Sequence, residues 1–169
     1  LIDPSSQDND IMSYVLGSTT TLTPITYLVA GEFTNIENLN FTFGSGASGT
    51  ATGVTALPKI TGAKNITATG AVAGAQTFVT FTTTGATSFD GSGVTGDGTN
   101  VAGLIVTAGA GTSAVTIAGG AINDILIGST FNDVIRGGAG NDIIDNSAGN
   151  DTVTGGPGSD VLDVTTGND

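Results

Sequence analysis

The stretch GGAGNDIID, Gly137 to Asp145, is the clearest copy of a nine-residue unit that decides how this chain folds. Working outward, the Asp at its sixth place recurs as Asp124, Asp133, Asp142, Asp151, Asp160 and Asp169. Asn precedes each of them except Asp160, which follows Ser159. Two residues beyond each Asp that is followed by a full unit stands Leu126, Ile135, Ile144, Val153 or Leu162. The unit is therefore a glycine-rich turn followed by a very short strand. It carries a single in-register apolar side chain and cannot bury it alone, so the copies must stack on one another.

The chemistry of the repeated positions points to a hard cation. Glycine tolerates positive φ and lets the backbone curl tightly with its carbonyls turned inward, while Asp adds an anionic oxygen. Carbonyls plus carboxylates suit calcium, which takes six to eight oxygens, better than magnesium, which wants a strict octahedron and keeps its waters. Zinc is disfavoured because the chain has no histidine and no cysteine. The same two absences remove the usual general base and the Ser/His and Cys/His nucleophilic pairs, and neither HExxH nor GxSxG occurs. No enzyme is expected in this chain.

Charge supports the same conclusion. Fifteen acidic residues face three basic ones, Lys59, Lys64 and Arg136, for a formal net charge of -12. Three scattered cations cannot form the basic footprint that nucleic acid requires. Carboxylates stacked about 5 Å apart repel by about 1 to 3 kcal/mol per pair, so ladders of Asp need something to neutralise them. With calcium at about 1 mM outside cells and site constants near about 0.1 mM, each ion adds about 1.4 kcal/mol by mass action. The expected behaviour is a segment disordered without calcium and folded with it. A metal-free reading, in which Gly and Asn-Asp simply make turns, leaves unexplained why Asp holds the sixth place in every copy.

With these residues in view, residues 119–169 resemble the repeats-in-toxin family, whose nonapeptide reads Gly-Gly-x-Gly-x-Asp-x-apolar-x. The resemblance implies a parallel β-roll with two nonapeptides per coil and calcium between turns stacked on one side. Carried over by position, Asp124 faces Asp142 and Asp160, and Asp133 faces Asp151 and Asp169. The implied ligand set is these six Asp with turn residues Gly119, Gly128, Gly137, Gly138, Gly140, Gly149, Gly155, Gly156, Gly158, Asn141 and Asn150. The copies GGAINDILI and GSTFNDVIR lack the later glycine, at the fourth place, and NSAGNDTVT lacks the first pair, so the metal is less well specified there. The resemblance also implies secretion by one-step export, which fits sites too weak to fill at cytosolic calcium.

Residues 13–118 are low in charge and rich in Thr, Val, Ala and Gly, with strand-like runs at Thr77 to Thr84, Leu104 to Thr107 and Ala114 to Ala118. A looser repeat superposes the segments that begin at Asn35, Gly62 and Gly85, and brings Leu39, Ile66 and Phe89 to one position. That spacing suits the rungs of a wider solenoid; a β-sandwich with glycine-rich turns is the alternative. FTNIENLNF and ATSFDGSGVTG look like the Thr/Ala/Gly-rich stretches of bacterial surface-layer proteins that also carry calcium repeats. Asp90 and Asp97, in the glycine-rich loop FDGSGVTGDGTN, read as solvated turn residues, with a further cation site as the alternative; Glu32 and Glu37 read as surface charges, and Tyr14 and Tyr27 as core or contact residues.

The whole reads as all-β: a parallel β-solenoid over 13–118 running into a calcium-binding β-roll over 119–169, with residues 1–12 ending a decayed calcium repeat in which Asp8 or Asp10 is a candidate ligand. The final GND and the initial LID would together make nearly GNDIID, which is expected if the segment is one unit of a longer array. The functional expectation is a calcium-dependent structural segment of a secreted bacterial surface layer or filament, self-associating and in contact with cell-surface polysaccharide. The competing expectation is an adhesin segment that meets glycan or ice through Thr67, Thr69, Thr80 and Thr82. No apolar run has the length of a membrane helix.

Overall fold

A computed structural model describes residues 11–16, 38–43, 55–56, 60–61, 65–72, 79–96, 103–108, 113–164, 167 and 169. The described strands are short at first and shorter still toward the end. They are β1 (Ile11–Leu16), β2 (Asn38–Phe43), β3 (Thr55–Ala56), β4 (Ile60–Thr61) and β5 (Asn65–Val72). Next come β6 (Val79–Thr84), β7 (Ser88–Gly96), β8 (Leu104–Ala108) and β9 (Thr116–Ala118). The repeat region supplies β10 (Ile125–Ile127), β11 (Val134–Arg136), β12 (Ile143–Asp145), β13 (Thr152–Thr154) and β14 (Val161–Asp163).

Two parallel sheets result, among the described residues. One runs β1-β2-β5-β7-β9-β11-β13, the other β3-β6-β8-β10-β12-β14, with β4 also paired to β6. Strands alternate between the sheets along the repeat region, so each coil contributes one rung to either side. That is a parallel β-solenoid, and the expected fold class holds. In the first sheet the polar position at the start of each rung is offset by 27 and then 23 residues, and in the repeat region the offset settles at 18. Two nonapeptides therefore close one coil.

The looser repeat is real at the level of hydrogen-bonded pairs: Leu39 is in register with Ile66, and Ile66 with Phe89. Beside that apolar file runs a polar one, in which Asn65 Nδ2 donates to Asn38 Oδ1 at 3.1 Å and Ser88 Oγ to Asn65 Oδ1 at 2.8 Å. In the wide rungs the inward residues include Phe41, Phe81 and Phe89, with ring centroids 5.2 Å and 4.9 Å apart in edge-on and tilted contacts. In the narrow rungs one side chain per strand suffices, and Ile117, Leu126, Ile135 and Ile144 are completely buried. Each such burial contributes about 1.5 to 3 kcal/mol. Leu162, in the last described coil, is 42% exposed.

One expectation needs correction. The glycine-rich stretch FDGSGVTGDGTN, Phe89 to Asn100, expected to be a loop, lies as far as Gly96 in the nine-residue strand β7. It is clamped between β5 and β9, and pairing on both edges outweighs the poor strand propensity of its glycines. A bulge absorbs one residue, since Thr67 pairs with Asp90 but Thr69 with Gly93. Asp90 is exposed there and accepts the Ser92 amide at 3.0 Å. Gly91 sits in a close approach: a Cβ would lie 2.6 Å from Leu104 Cδ1 and 3.0 Å from Ala118 O. Asp8, Asp10, Tyr27, Glu32, Glu37 and Asp97 lie outside the described residues, as does the side chain of Tyr14.

Candidate metal centre

The turns of the roll form two edges. One edge carries Asp124, Asp142 and Asp160, in the turns that lead from the first sheet into β10, β12 and β14. The opposite edge carries Asp133, Asp151 and Asp169. Stacking by 18 residues brings each set into a file, as the resemblance implied. Each carboxylate is anchored by a backbone amide of the preceding coil: Oδ1 of Asp142, Asp160, Asp151 and Asp169 accepts from Asp124 N (2.8 Å), Asp142 N (3.0 Å), Asp133 N (2.7 Å) and Asp151 N (2.8 Å). Leu104 N serves Asp124 at 2.7 Å and Val115 N serves Asp133 at 2.8 Å. Asp at the sixth place is thus a strap between coils before it is anything else.

The second oxygen distinguishes the copies. In the first two, the amide of the second residue turns onto its own Asp: Gly120 N donates to Asp124 Oδ2 and Ser129 N to Asp133 Oδ2, both at 2.6 Å. Ser129 Oγ also lies 2.9 and 3.0 Å from the two Asp133 oxygens. In GGAGNDIID the corresponding Gly138 has φ +108°, and its amide goes to Gly155 O of the next coil at 3.0 Å. Asp142 Oδ2 is left buried with no hydrogen-bond partner, in a residue only 1% exposed. A buried carboxylate oxygen in that state is costly unless a cation or a donor meets it.

The space beside it is cut to size by glycine. A Cβ on Gly137 would fall against Asp142 Oδ2 and Gly155 O, and one on Gly119 against Asp124 Oδ2 and Gly137 O. A Cβ on Gly155 would meet Asp160 Oδ2. A carboxylate oxygen and a carbonyl oxygen thus converge where a side chain would otherwise stand. Among the described residues no three carboxylates come together, so a cation here must draw on backbone oxygens as well. The donor set is all oxygen and fits calcium.

Electrostatics records the same strain. Burial pushes the Asp124 carboxyl up to about 7, against the pull of the Leu104 and Gly120 amides, and the charge of Asp142 adds to the rise. Asp142 is also raised, by burial first and by Asp160 in addition, with the Asp124 amide opposing. Calcium bound at this edge would supply the positive charge that lets these groups stay ionised while buried.

Residues 118–153 and 147–169 match the RTX calcium-binding nonapeptide repeat (4 copies). Repeats of this kind bind Ca2+. The match covers the last third of the chain and coincides with the narrow rungs. No curated protein and no solved structure matches the chain. Within the matched segment the expected residues divide by task. Gly119, Gly137 and Gly155 line the carboxylates on one edge, and Gly128 does so on the other, where its Cβ would lie 2.9 Å from Asp133 Oδ2. Gly138, Gly140, Gly149, Gly156 and Gly158 have positive φ and press on backbone of the preceding coil.

The side chains of Asn141 and Asn150, expected among the ligands, lie on the exposed rim. Asn123 Oδ1 accepts from Asn141 N at 2.7 Å, Asn141 Oδ1 from Ser159 N at 2.8 Å, and Asn132 Oδ1 from Asn150 N at 2.9 Å. The Asn123–Asn141 and Asn132–Asn150 bonds explain why Asn precedes Asp: the pair straps neighbouring coils twice, once outside and once inside. Sequence reasoning did not single out Ser129 and Asn146, both of which contact the Asp side chains. Their signal was present as departures from the glycine pattern.

Proposed function

We propose that the chain is a calcium-set structural segment of a secreted bacterial surface-layer or surface-filament protein, which folds and assembles outside the cell. The observation that carries this reading is Asp142 Oδ2, buried and unpartnered in a glycine-walled cradle in the middle of a stack that propagates in one dimension. Proteins with RTX repeats are typically secreted, and outside the cell calcium is abundant enough to fill weak oxygen sites. An extracellular, calcium-dependent structural or adhesive role follows from the repeats, and the surface-layer assignment is our extension of it.

Assembly is favoured over adhesion by the outer faces. On the second sheet Ile105, Ile125, Ile143 and Val161 are in register on one outward row, with Ile143 49% and Val161 61% exposed. A file of aliphatic side chains along one sheet suits lateral contact with a second copy. The threonine surface is less regular: Thr67 stands between Asn40 and Asp90, and Thr69 between Thr42 and Gly93.

Circular dichroism with and without calcium, followed by electron microscopy of the calcium form, tests the proposal. We expect β structure to appear with calcium and ordered arrays or filaments to form from it. Full β structure with an unchanged melting temperature in excess chelator would remove the claim.

A further inference from the structure

The opposite edge of the roll solves its charge problem in another way. In the copy NSAGNDTVT the first position is Asn146, completely buried, where Gly119, Gly137 and Gly155 stand on the calcium-type edge. Its carboxamide nitrogen donates to Asp151 Oδ2 at 2.9 Å and to Asp169 Oδ2 at 2.8 Å. One amide group therefore bridges two stacked carboxylates, the position a cation between coils would take. The following residue, Ser147, adopts φ +65°, the left-handed conformation that the family's second glycine normally supplies. That backbone turn at Ser147 leads directly out of the buried Asn146.

The orientation of the amide is dictated by its surroundings. Turning it over would set Oδ1 against two carboxylate oxygens, whereas as placed Oδ1 points away and is buried without a partner. Two charge-assisted hydrogen bonds outweigh one unmade bond to a neutral oxygen. Asp133, the next carboxylate of this file, is closed by Ser129. Each described Asp on this edge thus has Oδ2 met from within the chain, while Asp142 on the other edge does not.

We infer that the roll takes up calcium unequally: the edge built on Gly137, Asp142 and Gly155 is the ion-binding one, and on the other edge the Asn146 carboxamide replaces the ion between Asp151 and Asp169. This rests on the calcium reading above and adds a division of labour to it. One edge is latched by hydrogen bonds regardless of calcium. The other closes only when the ion is present.

Calcium stoichiometry of the full chain, by isothermal titration and by terbium luminescence, tests the inference. Asn146→Gly, which opens the cradle, is expected to gain one ion per chain. Asp142→Asn is expected to lose one from the wild-type count, and Asp151→Asn to leave that count unchanged. If the Gly variant fails to fold, the wild type still answers by NMR: the Asn146 side-chain NH2 pair is expected to stay protected from exchange in saturating calcium. An unchanged or lower count for Asn146→Gly, an ion lost with Asp151→Asn, or calcium-induced exposure of that NH2 pair would overturn the inference and leave the calcium reading standing. A wild type that binds no calcium overturns both.

Discussion

Acid should strengthen the metal-free fold and weaken the calcium-bound one. The perturbation is a shift from pH 7 to pH 5 in buffer stripped of divalent ions. Burial raises Asp124 from 3.8 to about 7 in the folded chain, so between those values the native state holds a proton that the unfolded chain has released. Stability must then rise as pH falls, by about 1.4 kcal/mol per pH unit in the middle of the window, and the gain is complete only below the unfolded value. Allowing for half-protonation at pH 7, the change to pH 5 is about 2 kcal/mol for this residue alone. With a urea slope of about 2 kcal/mol/M, the unfolding midpoint should move up by about 1 M. If the chain is unfolded at pH 7 without metal, the same gain appears as β signal returning on acidification. Asp124→Asn removes the titrating group and should flatten the dependence. In saturating calcium the sign reverses, because protons compete with the ion for the same oxygens. A metal-free midpoint that falls with acidification, or one that rises equally in Asp124→Asn, would refute the reasoning.

Other perturbations separate the parts of the fold. Gly137→Ala has no backbone penalty, since φ there is ordinary, but its methyl would fall on Asp142 Oδ2 and Gly155 O; calcium affinity should drop along with about 1 to 3 kcal/mol of stability. Gly85→Ala is its control: φ is +83° and nothing lies within 4 Å of the added carbon, so about 1 to 2 kcal/mol of backbone strain should appear in urea melts with calcium affinity unchanged. Phe81→Ala breaks the ring contacts with Phe41 and Phe89 and should cost about 3 to 5 kcal/mol by the same melts. Ile143→Ser changes an outward residue of the aliphatic row, so the melt should stay within about 0.5 kcal/mol of wild type while ordered assembly seen by microscopy is reduced.

The parts of the fold that repeat were legible before any coordinate. The 18-residue coil is what the resemblance of the nonapeptides implies, and the register of Leu39, Ile66 and Phe89 follows from superposing three loose copies. What could not be read is where a repeat breaks its own rule. The strand at Ser88–Gly96 looks like a loop because its glycines signal turns, and only the two flanking strands reveal that they are there for close approach to Leu104 and Thr69. At the site, sequence located the Asp files but treated every copy as a weaker or stronger version of one ligand set. Whether an Asp is open or closed depends on where a single amide points, Gly120 N inward and Gly138 N outward. That choice lies in a φ angle, which composition alone does not dictate.

The wide and narrow parts also differ in what they need from outside. A wide rung buries several large side chains at once, Phe41, Phe43 and Leu39 in β2 alone, and so carries its own hydrophobic drive. A nonapeptide buries one, which cannot offset the entropy of ordering nine residues, and the deficit must be met by straps, stacking and charge neutralisation. The pairing of β9 on β7 and of β10 on β8 supplies the template, since the first narrow rungs are laid directly on wide ones. Asp124, in the first of these coils, donates from its amide to Asp142 and receives from Leu104, so it straps the wide stack to the narrow one. Folding that proceeds from such a template is expected to spread along the roll in the direction of rising residue number, with each ion at the Asp142 edge fixing the coil on which the next is laid.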